Sequence, residues 1–134
     1  MKILVTGANG FVGKNLVSTL KNIKDGKDQT RNINIQDIYT YDIENTIDDL
    51  KEYTKDCDFV FHLAGVNRPK NIEEFYEGNT NFTELLCASL EAHNNKCPTL
   101  ISSSIQAKQS NDYGKSKKEG EQILIRHAMN IDTK

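Results

Sequence analysis

Residues 3–13, read Ile-Leu-Val-Thr-Gly-Ala-Asn-Gly-Phe-Val-Gly, decide how this chain folds. Three leading apolar residues suit a short buried strand, and glycines follow at positions 7, 10 and 13. From Phe11 an amphipathic pattern begins, with Phe11, Val12, Leu16, Val17 and Leu20 at helical spacing. A strand, a glycine-rich turn and a helix start form an arrangement suited to a dinucleotide pyrophosphate. One glycine allows the tight bend, the next lets backbone approach the anion, and the third lets helix and strand pack closely. Free N–H groups and the helix dipole then hold the negative charge.

The spacing is G-x-x-G-x-x-G rather than the commoner G-x-G-x-x-G. A Walker-type phosphate loop competes, because Lys14 follows Gly13. That motif needs four residues between its first glycine and the Gly-Lys pair, and then Ser or Thr. Five residues separate Gly7 from Gly13, only two separate Gly10 from it, and Asn15 follows the lysine. The ATPase alternative fails.

Composition narrows the class further. A chain of 134 residues, 37% hydrophobic and 27% charged, suits one soluble domain with a modest core. A net charge of −2 makes no basic field, so nucleic acid is not an expected partner. The N-terminus lacks the pattern of a secretory signal, and no apolar run reaches membrane-spanning length. Cys57, Cys87 and Cys97 are odd in number, without a C-x-x-C pair or a histidine at zinc-ligand spacing. No metal site is expected. Three free thiols point to core filling and a reducing cytoplasm.

Beyond the first helix, residues 22–34 are polar and read as a long loop. A second strand is expected over 35–41, ending just before Asp42. An acidic residue there is the usual partner of the adenosine ribose hydroxyls in an NAD site. A turn or capping aspartate before Ile43-Glu44-Asn45 is the alternative, and both stand open. Residues 46–54 suit a short helix, with Asp48 and Asp49 near its start. Residues 59–65, Phe-Val-Phe-His-Leu-Ala-Gly, suit a central strand buried on both faces. His62 in that strand reads as a satisfied core histidine, and Ala64 and Gly65 would let a cofactor lie against backbone. Asn71 resembles a helix cap with Glu74 completing a capping box. A long helix from Asn79 to about His93 would carry Phe82, Leu85, Leu86 and Leu90 on its apolar face. A strand over 99–102 and a last helix from near Tyr113, with Ile123, Leu124 and Met129 apolar, complete the pattern. The alternation predicts a doubly wound α/β fold, strand order 2-1-3-4, with a ligand above the C-terminal ends of strands 1 and 3.

Tyr113 and Lys117 are four apart, on one face of a helix. A free phenol, with a pKa near 10, exchanges its proton poorly at neutral pH. A nearby ammonium favours the phenolate and lowers that pKa toward the working range. Tyr113 can then give a proton to a carbonyl oxygen as hydride reaches the carbon, and Ser104 can hold the same oxygen.

With these residues together, the chain resembles the N-terminal part of an extended short-chain dehydrogenase/reductase of the NAD-dependent epimerase/dehydratase type. The matching positions are Thr6-Gly7-x-x-Gly10-Phe11-x-Gly13, His62-Leu63-Ala64-Gly65, Asn79-x-x-x-Thr83-x-x-Leu86, Ser102-Ser103-Ser104 and Tyr113-x-x-x-Lys117. The resemblance implies a Rossmann-type cofactor domain. It assigns Gly7, Gly10, Phe11, Val12 and Gly13 to the pyrophosphate turn and Leu63, Ala64 and Gly65 to the cleft. Ser104, Tyr113, Lys117 and Asn79 would form the active site, Lys117 also binding the nicotinamide ribose.

Two stretches, 62–69 and 102–117, are similar to bacterial capsular-polysaccharide enzymes that reduce the 4-keto group of a UDP-2-acetamido-2,6-dideoxy-hexulose. That similarity implies NADPH, whereas a carboxylate at Asp42 would repel a 2′-phosphate; NADP and NAD both remain open. It also implies a UDP-sugar substrate and a cytoplasmic enzyme. Those enzymes continue beyond the Tyr113 helix into a substrate lobe. Residues 1–134 therefore read as an incomplete NAD(P)-binding domain, inactive alone and inclined to self-associate through uncovered apolar faces. The rival expectations are a UDP-sugar 4-epimerase on tightly held NAD and a non-catalytic dinucleotide-binding module. A flavodoxin-like protein is weaker, since nothing marks a flavin site.

Overall fold

In the computed structural model, β1 (Lys2–Thr6) pairs with β2 (Asp37–Tyr41) on one side and β3 (Phe59–His62) on the other. β4 (Thr99–Ile101) follows β3, giving a parallel sheet of order β2-β1-β3-β4. The helices are α1 (Phe11–Lys24), α2 (Ile47–Asp56), α3 (Phe82–Ala92) and α4 (Asp112–Ile131). The described residues are 1–27, 33–64, 81–101 and 112–131, the last stretch with side chains at 115 and 118–130. The order is the one the alternation predicts. In the register, Thr6 lies opposite both Tyr41 and His62, so β1, β2 and β3 end along one edge.

Alternation along β1 divides the core into two layers. Leu4 faces one way, joining Tyr41, Leu50, Cys57, Val60, Leu86, Leu90 and Cys97 beneath α2 and α3. Ile3 and Val5 face the other way and pack with Val17, Leu20 and Ile23 of α1. A third cluster, Cys87 with Ile123 and Leu124, joins α4 to α3. Alongside it, His127 Nδ1 meets Glu91 Oε1 at 2.9 Å.

Helical periodicity does not say which side a neighbouring layer covers, and four expected apolar positions differ for that reason. Leu85 and Met129 face outward, and Phe11 and Val12 stand 85% and 60% exposed at the start of α1. Thr83 takes the inward position on α3 instead, buried and bonded to His62 Nε2 at 2.9 Å. Strand ends shift too. α1 runs on to Lys24, inside the expected loop. β3 stops at His62: Leu63 N–H completes the ladder to Thr6 O, and Ala64 N–H then turns to the Thr6 side-chain Oγ1. Phe59 and Phe61 are only half-buried, so β3 is fully covered on one face and partly on the other.

The three thiols are free and buried, as core filling requires. Cys57 and Cys97 lie with sulfurs 3.8 Å apart, just ahead of β3 and β4, at the opposite edge from the glycine turn. Contact with Cys97, and then burial, pushes the Cys57 thiol up. Asn95 clasps the same corner, its amide donating to Thr54 O at 2.8 Å and Cys57 O at 2.9 Å. The expected cap at Asn71 lies outside the described residues.

Candidate cofactor site

The glycine turn joins β1 to α1 at the C-terminal edge of the sheet, and its three glycines answer to different demands. Gly7 has φ +69°, a left-handed conformation that disfavours any side chain. A Cβ there would also stand 2.7 Å from Ala64 N and Leu63 C, so the end of β3 packs directly on it. A Cβ on Gly13 would overlap Gly7 O and lie 2.9 Å from Ala8 Cα, which allows α1 no retreat from the strand. Gly10 is different. Its φ is −73°, open to any residue, and among the described residues an added Cβ would meet only Gly7 O at 3.4 Å. Packing among the described residues therefore compels glycine at 7 and 13 but not at 10, which is exposed among them.

Gly10 is also the N-cap of α1, and it offers no side chain to the first amides of the helix. Gly10 N–H donates back to Gly7 O at 3.1 Å, and Lys14 N–H closes the first helical bond to Gly10 O at 2.8 Å. The amides of Phe11, Val12 and Gly13 fall in the first turn, where a helix cannot supply acceptors from itself. The first turn carries no acidic residue either, although that end of the dipole favours one. Uncapped by any described side chain, these donors and the open side of Gly10 fit a pyrophosphate.

Thr6 ties the turn to β3. Its Oγ1 receives Ala64 N–H at 3.2 Å and lies 2.7 Å from His62 Nδ1. The assignment that leaves no proton idle runs from Ala64 N–H to Thr6, from Thr6 O–H to His62 Nδ1, and from His62 Nε2–H to Thr83. His62 is thus a satisfied core histidine, as expected. Its ring fixes the ends of β1 and β3 beneath the turn. Leu63 and Ala64 are half-buried against Gly7, at the place assigned to the cleft.

Asp42 follows β2, where its contacts are those of the turn alternative and its carboxylate also borders the glycine turn. As a turn residue, its Oδ1 accepts Ile43 N–H at 2.7 Å, and its own N–H donates to Asn45 Oδ1 at 2.9 Å. As a wall of the glycine turn, its Oδ2 accepts Asn9 N–H at 2.8 Å. Glu44, which the sequence did not single out, reaches the same residue: its Oε1 accepts from the Asn9 side-chain amide at 2.7 Å. The only hint in the sequence was a second carboxylate two residues beyond the first.

The backbone places Tyr113 and Lys117 one turn apart near the start of α4, as their spacing predicts. Ser104, Asn79 and Gly65 lie outside the described residues. Among the described residues no group of His, Cys, Asp and Glu could hold a metal ion, and no helix is long and apolar enough to cross a membrane.

A parallel sheet of this order, with a bare helix N-terminus over a glycine turn, defines a Rossmann-type doubly wound domain. More particularly, the chain belongs to the NAD dependent epimerase/dehydratase family, whose profile matches residues 3–131. It is 42% identical over 124 residues to a UDP-2-acetamido-2,6-beta-L-arabino-hexul-4-ose reductase of Pseudomonas aeruginosa. That match covers 92% of this chain and 31% of the relative, so the chain spans about a third of that protein's length. A crystal structure of the capsular polysaccharide assembling protein CapF from Staphylococcus aureus superposes with TM-score 0.77 at 38% identity. It covers 99% of this chain and 33% of that one. A UDP-glucuronic acid 4-epimerase from Bacillus cereus, in complex with NAD, has TM-score 0.77 over 99% of this chain and 54% of its own. At 20% identity that likeness speaks for the fold alone.

Proposed function

We propose that this chain is the cofactor-binding and catalytic-pair portion of a nucleotide-sugar reductase acting on the 4-keto group of a UDP-linked deoxyhexulose, in the making of a surface polysaccharide. The observation that carries the cofactor half is Gly10, a glycine that packing among the described residues does not need, capping a helix whose first turn has no side-chain cap and no acid. The similarity to the Pseudomonas aeruginosa reductase favours reduction over epimerisation.

When bound, NAD(P)H supplies the hydride. The turn residues Gly7, Gly10 and Gly13 cradle the pyrophosphate, which the amides of Phe11 and Val12 hold against the positive end of α1. Leu63, Ala64 and Gly65 line the cleft, and Asp42 faces the adenosine ribose. Tyr113 gives its proton to the substrate oxygen as general acid. Lys117 lowers the tyrosine pKa electrostatically and binds the nicotinamide ribose, while Ser104 holds the reacting oxygen and Asn79 completes the set.

Calorimetric titration with NADH and NADPH, comparing the natural chain with Gly10→Ala, tests this proposal. The substitution should weaken the preferred nucleotide at least about tenfold, because the methyl group fills the space the anion needs. Its stability should stay within about 0.5 kcal/mol of the parent, since Gly10 already has an ordinary φ. Unaltered affinity in Gly10→Ala would sink the proposal. NAD that stays with the protein through purification would favour the 4-epimerase instead.

A further inference from the structure

We infer that Cys57 and Cys97 form an oxidisable pair, which a small peroxide converts to a disulfide that staples the start of β3 to the start of β4. The inference stands apart from the cofactor reading, since the pair lies at the opposite edge of the sheet from the glycine turn. Its sulfurs are already 3.8 Å apart, across 40 positions of sequence. A disulfide bond is about 2.05 Å long, so a closing movement of about 1.8 Å suffices. Asn95 holds the two residues in place for it. Its side-chain amide donates to Cys57 O at 2.9 Å, and its Oδ1 accepts Cys97 N–H at 3.0 Å. One side chain therefore grips the backbone of both cysteines. Asn95 is fixed in turn by its own N–H, which donates to Leu90 O at 2.9 Å.

The two thiols are not equivalent. With Cys57 donating its S–H to Cys97, the Cys97 thiol is held below its usual range, while the same contact and burial push Cys57 up. Cys97 is also nearer the surface, 7% exposed against 2%, and it follows the exposed Lys96. Cys97 therefore attacks first. Its sulfur takes one peroxide oxygen, the O–O bond breaks, and the other oxygen leaves as water, giving a sulfenic acid. The Cys57 sulfur then attacks the Cys97 sulfur, and the displaced hydroxide leaves with the Cys57 proton as a second water. Both thiols are oxidised and the peroxide is reduced. The oxidant has to be small, because it reaches the sulfurs only through local opening of this corner. Cys87 supplies the internal contrast: it packs with Ile123 and Leu124, and burial, then Glu91, push its thiol up to about 12.

The test is to treat the folded full chain with a low excess of hydrogen peroxide, then quench, unfold, alkylate and map the peptides by mass spectrometry. Free thiols should fall from three to one, with Cys87 left and residues 57 and 97 in one cross-linked peptide pair of a monomeric chain. Dithiothreitol should restore all three. The oxidised chain should unfold about 10 °C higher, because a 40-residue loop is then closed in the unfolded state as well. In Cys57→Ser the Cys97 sulfenic acid lacks its partner and should be trapped by dimedone, whereas Cys97→Ser should leave Cys57 reduced. Three thiols surviving a treatment that oxidises the urea-unfolded chain would overturn the inference. So would cross-links that include Cys87 or join two chains, or an oxidised chain that unfolds at a lower temperature. A dimedone adduct on Cys57 in Cys97→Ser would overturn the order of attack. The peptide map of the parent needs no variant, so it decides the pairing even where a serine variant fails to fold.

Discussion

Helices α1 and α2 both begin past the same edge of the sheet, after β1 and β2, and they treat their opening turns in opposite ways. At α2, Thr46 Oγ1 accepts Asp49 N–H at 3.3 Å while Asp49 Oδ2 accepts Thr46 N–H at 3.0 Å, a reciprocal capping box. Asp48 and Asp49 put negative charge in its first turn. At α1 the cap is Gly10, the first turn holds no acid, and apolar Phe11 and Val12 face solvent. One helix neutralises its N-terminus with its own side chains. The other has no side-chain cap and no acid in its first turn. Binding sites in such folds arise where local self-sufficiency is withheld, and this chain withholds it at one helix while completing it at the next.

The contrast can be broken most severely at Gly13. Gly13→Ala forces a methyl into Gly7 O and Ala8 Cα, and backbone cannot yield as a flexible side chain would. A loss of about 3 kcal/mol in denaturant unfolding, together with loss of nucleotide binding, is expected. Gly10→Ala, three residues away, should weaken only binding; the pair separates glycine required by packing from glycine required by a ligand.

A smaller effect is expected at the self-capped helix. Thr46→Ala removes one half of the capping box and should cost about 1 kcal/mol in thermal or chemical unfolding, with nucleotide affinity unchanged. A change in affinity would mean that the two helix starts are coupled rather than separate.

The smallest expected effect is a pH dependence confined to α2. Hydrogen bonds from the Thr46 backbone and then the Asn45 side chain hold the Asp49 carboxyl below its usual range. A carboxyl lowered in the folded state binds its proton less readily than in the unfolded chain. Its contribution is therefore full above the ordinary carboxylate pKa near 4 and is lost as pH falls through the lowered folded value. Chemical unfolding from about pH 5 downward should show the parent losing slightly more stability than Asp49→Asn. Parallel curves for the two proteins would remove Asp49 from the cap.

Much of the fold was legible because several local rules agreed. Apolar residues at 3–5, glycines at 7, 10 and 13 and a helical pattern from Phe11 all point to strand, turn and helix, and β1 and α1 start where expected. His62 was legible as a core residue from the apolar run around it. The site was legible in outline only. Exposure of Phe11, Val12 and Leu85 could not be read, since a helical repeat marks a face without naming the layer it meets. The reach of Glu44 to Asn9 spans 35 positions and exists only because β1 and β2 pair in parallel.

By itself, the sequence determined the class: where glycine must stand, where strands alternate with helices, and that Tyr113 and Lys117 stand one turn apart on a helix. These are properties of neighbours along the chain, set by sterics and periodicity. Only the tertiary structure decided which glycines the packing of the described residues requires, which apolar side chains stay outside, and that Asp42 and Glu44 meet at Asn9. Those depend on what lies across from a residue in space, and strand pairing chooses that neighbour.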